Sequence, residues 1–247
     1  MADIRPVRRE PIFNAPTIVL VVIALFVAIH AVRDFLLTYE DQMDAIIYLA
    51  FIPARLTELG ARLPGGFPVG LSSTLTHAFL HGDWLHLTIN GAWLLAFGSL
   101  IVRRCGNIGF LALFAAAAIA GALFFFVMNP TGVIPLVGAS GAISGMMGGA
   151  FRLIFSTEGG GFSMLHHHPM AVPRMPLALA LRDQRTMTAV LIWLAINLVF
   201  GFGLGDMFQS GEIAWEAHIG GFLVGFLFFS WFDRGPGYGT WGDPTPR

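Results

Sequence analysis

The chain has 247 residues, of which 55% are hydrophobic and 12% charged, with a mean hydropathy of +0.71. A soluble globular domain carries about 25% charged residues, so this composition excludes an ordinary water-facing surface and points to an all-α polytopic membrane protein. The net charge of −1 argues against nucleic acid or an acidic partner, and the single cysteine, Cys105, excludes an internal disulfide or a Cys-rich metal site.

Residues 1–15 are polar, carry Arg5, Arg8 and Arg9, and read as a cytoplasmic segment by the positive-inside rule. No small-x-small cleavage site follows the next apolar run, so that run reads as a span and not as a signal peptide. The first span, 16–37, ends at Arg33 and Asp34, which can snorkel toward the far interface; His30 reads as a packed or interfacial side chain. Residues 38–84 form a long outer loop, acidic overall, with Arg55 and Arg62 as its arginines. Its apolar stretches 45–52 and 67–71 predict short amphipathic helices lying in the interface.

The second span, 84–102, stops at Arg103-Arg104, and the third, 108–128, returns to the outer side. After the uncharged loop 129–137 comes a fourth span, 140–155, which is short for a bilayer crossing. A short, glycine-rich helix is expected at the centre of a bundle, away from lipid, with its start sunk below the outer surface. Residues 156–185 read as a cytoplasmic loop holding Arg174, Arg182, Arg185 and His166-His167-His168. Consecutive histidines cannot all converge on one ion from a regular element, so they read as solvated. A fifth span (187–202), an outer loop (204–213, with Asp206 and Glu212), a sixth span (214–232) and a flexible tail (233–247) complete the chain. The expected plan is one six-span domain over 16–232 with both termini in the cytoplasm.

With that topology, four polar side chains reach similar depth from three helices. His86 and Asn90 are four residues apart and share one helix face near the outer start of the second span. Ser140 opens the fourth span inside Gly138-Ala139-Ser140-Gly141, and His218 lies about one turn into the sixth. Polar groups inside spans usually face the bundle interior or a watery cavity. A serine becomes nucleophilic when a base takes its proton, and histidine titrates in the right range. Beyond Asp34 and Glu216 at span ends, no Asp or Glu lies in a span to orient that histidine, so the pattern reads as a Ser–His dyad and not a full triad. His86, Asn90 and the Ser140 N–H could then serve a developing oxyanion. A bland alternative remains at this point: His86 and Asn90 as an interhelical hydrogen-bond pair, and Ser140 and His218 as passengers of small-residue packing through Gly141, Gly145, Gly220, Gly221 and Gly225.

The motifs His81-Gly82-Asp83-Trp84-Leu85-His86-Leu87-Thr88-Ile89-Asn90, Gly138-Ala139-Ser140-Gly141 and Ala217-His218-Ile219-Gly220-Gly221, in this order, resemble those of the rhomboid intramembrane serine proteases. The resemblance implies a six-transmembrane-helix bundle that hydrolyses a peptide bond in or near the transmembrane segment of a substrate protein. It implies Ser140 as nucleophile, His218 as base, and His86, Asn90 and the Ser140 N–H as the oxyanion hole. His81, Gly138, Gly141 and Gly221 take structural parts, and no metal or cofactor is implied. The expected location is a bacterial inner membrane with the site opening outward. Two positions depart from the family: Ser144 stands where many members stack an aromatic on the histidine, and the first loop lacks a Trp-Arg pair seen in some bacterial members, leaving Arg55 and Arg62 for anchoring. The competing expectations are a non-proteolytic relative that binds client transmembrane helices, and a transporter with midplane polar residues.

Overall fold

A computed structural model describes residues 15–156, 164–165, 167–199, 201, 214–235 and 237. The predicted segment 1–14, His166, the outer-loop residues Asp206 and Glu212, and most of the tail lie outside the described residues. What is described is helical, with only two isolated β-bridges.

Helix α1, Thr17–Phe35, buries Val19, Val22, Phe26 and His30, a set spaced three or four residues apart along one face. Leu20, Val21, Leu25, Val27 and Val32 are exposed on the rest of its surface. An apolar rim of this kind, repeated at Leu191, Ile192, Ile196 and Val199 further on, suits hydrocarbon and not water. By length and composition two helical stretches can cross a membrane, Thr17–Phe35 and Trp84–Met128.

Arg33 and Asp34 at the end of α1 are both engaged by neighbouring residues. Arg33 donates to the His81 carbonyl at 2.6 Å, and Asp34 accepts from Trp84 Nε1 at 2.9 Å. Together they tie α1 to the turn that precedes the second predicted span. His30 is buried edge-on against Trp84, with ring centroids 4.6 Å apart.

The long loop is built, as its apolar content predicts, from helices α2 (Tyr39–Leu49) and α3 (Gly66–Thr76) and short 3-10 turns. Arg55 anchors it: the side chain is fully buried and donates to the carbonyls of Ile47, Pro64 and Ala50. Arg62, the other predicted anchor, is exposed.

Helix α4, Trp84–Trp93, is N-capped by Asp83, which accepts from the His86 N–H at 2.7 Å. It widens to a π-turn over Leu94–Gly98 and runs into α5, Ser99–Met128. Gly106, at φ 71°, ψ 176°, breaks that helix. A β-carbon on Gly98 would lie 3.2 Å from the Phe110 ring, whereas a straight helix would separate those residues by about 18 Å. The chain therefore doubles back at Gly106, between the ends predicted at 102 and 108.

Helix α6, Ser140–Ile154, occupies the centre, with Gly141 to Met146, Gly148 to Ala150, Arg152 and Leu153 buried. Helices α7 (Gln184–Val199) and α8 (Trp215–Phe228) follow, and α8 packs against both α5 and α6. Glycines make that contact possible: a β-carbon at Gly220 would meet the Ala120 carbonyl oxygen at 2.6 Å, and one at Gly148 the Phe222 carbonyl oxygen at 2.5 Å.

At the opposite end from Ser140, several arginines fold inward. Arg104 is 1% exposed and forms a bidentate pair with Asp233 while donating to the Pro169 and Val172 carbonyls. Arg174 joins the same carboxylate at 2.8 Å. Arg152 donates to the Met175 and Phe226 carbonyls. The 156–185 loop is thus partly folded into the bundle, with Val172 and Met175 buried, although His167 and His168 are exposed as predicted.

Candidate active site

Three helices and one loop bring the predicted site residues together around the contact between Ser140 and His218. The loop before α6 is positioned by the long first loop: Phe51 and Leu136 exchange two backbone hydrogen bonds, and the Gly138 N–H donates to the His77 carbonyl at 3.0 Å. Gly138 then takes φ 114°, a conformation that side-chain-bearing residues rarely adopt. A β-carbon there would also stand 2.8 Å from the His86 ring. The backbone of Gly138 thus lies flat against the imidazole, and Asn90 Nδ2 is the next atom along.

Ser140 is the first residue of α6, and no side chain caps that helix. The first N–H groups of a helix have no intrahelical acceptor and carry the positive end of its dipole. Ser140 Oγ lies 2.7 Å from His218 Nε2. The other ring nitrogen, Nδ1, lies 2.6 Å from Asn197 Oδ1 on α7. Gly141 and Gly221 let these helices approach: a β-carbon on Gly141 would stand 3.2 Å from the Ala217 carbonyl oxygen, and one on Gly221 would overlap the Gly141 carbonyl oxygen.

On α4, His86 Nδ1 accepts a long hydrogen bond, 3.4 Å, from the Gly82 N–H. An acceptor Nδ1 requires the proton of the neutral ring to sit on Nε2, on the side that faces Gly138. Asn90 spends one amide hydrogen on the His86 carbonyl at 3.1 Å and keeps a second. Asn90 is buried, whereas His86, Ser140 and His218 are half-buried.

His81 lies behind this set. It is fully buried, its ring packs against Phe26 and His86 at centroid distances of 5.0 and 5.2 Å, and neither nitrogen has a hydrogen-bond partner. Burial, with a smaller effect of the neighbouring His86, pushes its pKa down to about 3. His77, also buried, is held down to about 4 by the same cause. Ser144, one turn below Ser140, is buried in α6.

The residue that sequence reading passed over is Asn197. Its signal was present, since a carboxamide inside a predicted span is itself uncommon. An amide carries no charge to mark it out as the partner of a histidine. Among the described residues no group of three or more His, Cys, Asp or Glu side chains is arranged to hold a metal ion.

The arrangement can polarise a hydroxyl beside a cluster of N–H donors, which is the requirement for acyl transfer. Comparison with known proteins is consistent with this chemistry. The family model for the rhomboid domain matches residues 69–234. The chain is 32% identical over 154 residues to rhomboid protease GluP of Bacillus subtilis (strain 168), covering 62% of this chain and 24% of that relative. It is 25% identical over 215 residues to rhomboid protease GlpG of Haemophilus influenzae (strain ATCC 51907 / DSM 11121 / KW20 / Rd), covering 85% of this chain and 88% of that one. The chain thus spans about a quarter of the length of the first relative and most of the second.

Proposed function

The chain belongs to the rhomboid family, and on that premise we propose that it is an intramembrane serine endopeptidase acting through a Ser140–His218 dyad. The observation that carries the reading is the 2.7 Å contact between Ser140 Oγ and His218 Nε2 at an uncapped helix start. In the proposed reaction His218 takes the hydroxyl proton as Oγ attacks a substrate carbonyl. The oxyanion is met by the Ser140 N–H, His86 Nε2–H and the free Asn90 amide hydrogen. His218 returns the proton to the leaving amine, leaving an acyl-enzyme on Ser140. Water, deprotonated by the same imidazole, then releases the acyl group and restores the serine.

The chain crosses the bilayer six times in this reading, with residues 16–232 as one domain, 1–15 and the tail 233–247 in the cytoplasm, and the hollow facing outward in a bacterial inner membrane. The arginines of the segments assigned inside support that orientation. Hydrocarbon excludes the water that hydrolysis needs, and a polar hollow ringed by helices supplies it locally. The substrates are transmembrane proteins. A helical substrate hides its carbonyls in hydrogen bonds, so segments with helix-weakening residues near the cut, and a small residue before it, are preferred.

The test uses purified protein in detergent with a fluorogenic transmembrane substrate. Ser140→Ala and His218→Ala should each abolish cleavage. Undiminished cleavage in either variant would reject the dyad, and a Leu-rich rigid span cut as fast as a glycine-containing one would reject the substrate preference.

A further inference from the structure

We propose that Asn197 on α7 is a positioning residue for His218, holding the imidazole in the tautomer and orientation in which Nε2 can accept the Ser140 proton. The proposal rests on the dyad reading above.

The hydrogen-bond chain leaves one consistent assignment. A backbone carbonyl can only accept, so the Asn197 amide atom 2.8 Å from the Trp193 carbonyl is the NH2 group. The other amide atom is then the oxygen, 2.6 Å from His218 Nδ1. An amide oxygen can also only accept, so Nδ1 carries the imidazole proton. Nε2 of the neutral ring is therefore bare, and the Ser140 hydroxyl at 2.7 Å donates to it. A fixed carbonyl at Trp193 thus sets, through two hydrogen bonds, which imidazole nitrogen is basic.

A second contact keeps the two helices in register. Trp193 stacks on Phe222 at a centroid distance of 4.2 Å and an interplanar angle of 18°. Trp193 is one turn before Asn197, and Phe222 one turn after His218, so the stack and the hydrogen bond form two adjacent rungs between α7 and α8. The position that carries an aromatic in many rhomboids is Ser144 here. The hold on the imidazole comes instead from a different helix.

The groups around His218 leave this part to an amide. His86 is the titratable side chain that faces it from α4. Glu216 on α8 is engaged by Asn129 Nδ2 at 3.1 Å. On α6 the ionisable side chain is Arg152, at the far end against Met175, and on α7 it is Arg185, near the Phe155 carbonyl. From Gly106 to Met128, α5 carries none. A neutral acceptor orients the ring without placing a second charge in the bundle.

The test compares Asn197→Leu, similar in volume but unable to accept, with Asn197→Asp, which keeps an acceptor oxygen. Both lose the donation to Trp193, so the acceptor alone separates them. With the fluorogenic transmembrane substrate, Asn197→Leu should lower kcat about 10- to 100-fold, with KM changed by no more than about twofold. Asn197→Asp should recover most of the lost kcat. Thermal unfolding run on both should give matching midpoints. Unchanged kcat in Asn197→Leu, or equal losses in both variants, would overturn the proposal. Ser140→Ala and His218→Ala are assayed in parallel. If they abolish cleavage while Asn197→Leu behaves as wild type, only the positioning role fails; if they do not, the dyad reading and this proposal fail together.

Discussion

Gly221 on α8 lies against the carbonyl of Gly141 on α6 so closely that a β-carbon at 221 would overlap that oxygen. One turn on, Gly225 meets the Gly145 carbonyl in the same way. These backbone contacts lie within about two turns of the Ser140–His218 pair, so the separation of the two helices sets the reach between hydroxyl and imidazole.

Substitution at that seam should therefore damage folding and activity together. Gly221→Ala has no flexible neighbour to displace, and overpacking of this kind costs about 1–3 kcal/mol or more. The expected result is a lowered unfolding midpoint and loss of cleavage. Gly91→Ala is the control, because a β-carbon there would make ordinary contact with Ile23 at 3.9 Å. Its midpoint should stay at or above wild type.

The polar groups opposite the serine should act on rate and not on binding. His86→Ala and Asn90→Ala remove donors that the proposed oxyanion would use, and each should reduce kcat by about 10²-fold. Steady-state kinetics would reveal this as a fall in kcat at nearly constant KM. A pure rise in KM would assign these side chains to substrate binding instead.

The ion cluster at the other end should behave as a structural lock. Asp233→Ala leaves the buried Arg104 guanidinium without its carboxylate, a change worth about 3–5 kcal/mol. Unfolding in a graded denaturant should show that loss in Asp233→Ala. The double variant Arg104→Met, Asp233→Leu should regain part of it, because the fully buried guanidinium is removed with its carboxylate, while Arg174, whose side chain is 20% exposed, still loses its partner.

Acid should destabilise the segment that carries His77 and His81. The pKa values of His77 and His81 are about 4 and about 3 in the folded chain, against 6.5 for an exposed histidine. Below 6.5 the unfolded chain binds protons that the folded one refuses, so stability is full above that pH and declines as pH falls toward 4 and then 3. Each histidine contributes a slope of at most about 1.4 kcal/mol per pH unit in that window. Unfolding midpoints measured from pH 7.5 to 4.5 should fall, and His77→Gln should flatten part of the decline. A midpoint independent of pH would contradict the buried neutral state of these rings.

The chain by itself determined where the apolar segments run, because hydropathy and arginine spacing act over short range and need no partner. It also singled out the serine between glycines and the histidine before Gly220-Gly221, since polar groups in apolar runs are rare enough to stand out. Tertiary structure alone decided which side chains meet. Arg104, Arg174 and Asp233 look in sequence like solvated boundary charges, yet residues up to 129 apart share one buried cluster. Asn197 is one carboxamide in an apolar helix until α7 packs beside α8 and its oxygen reaches His218. A hydrogen bond between distant residues depends on the relative placement of two helices, and that placement follows from side-chain and backbone packing across the bundle, which the spacing of residues within either helix does not encode.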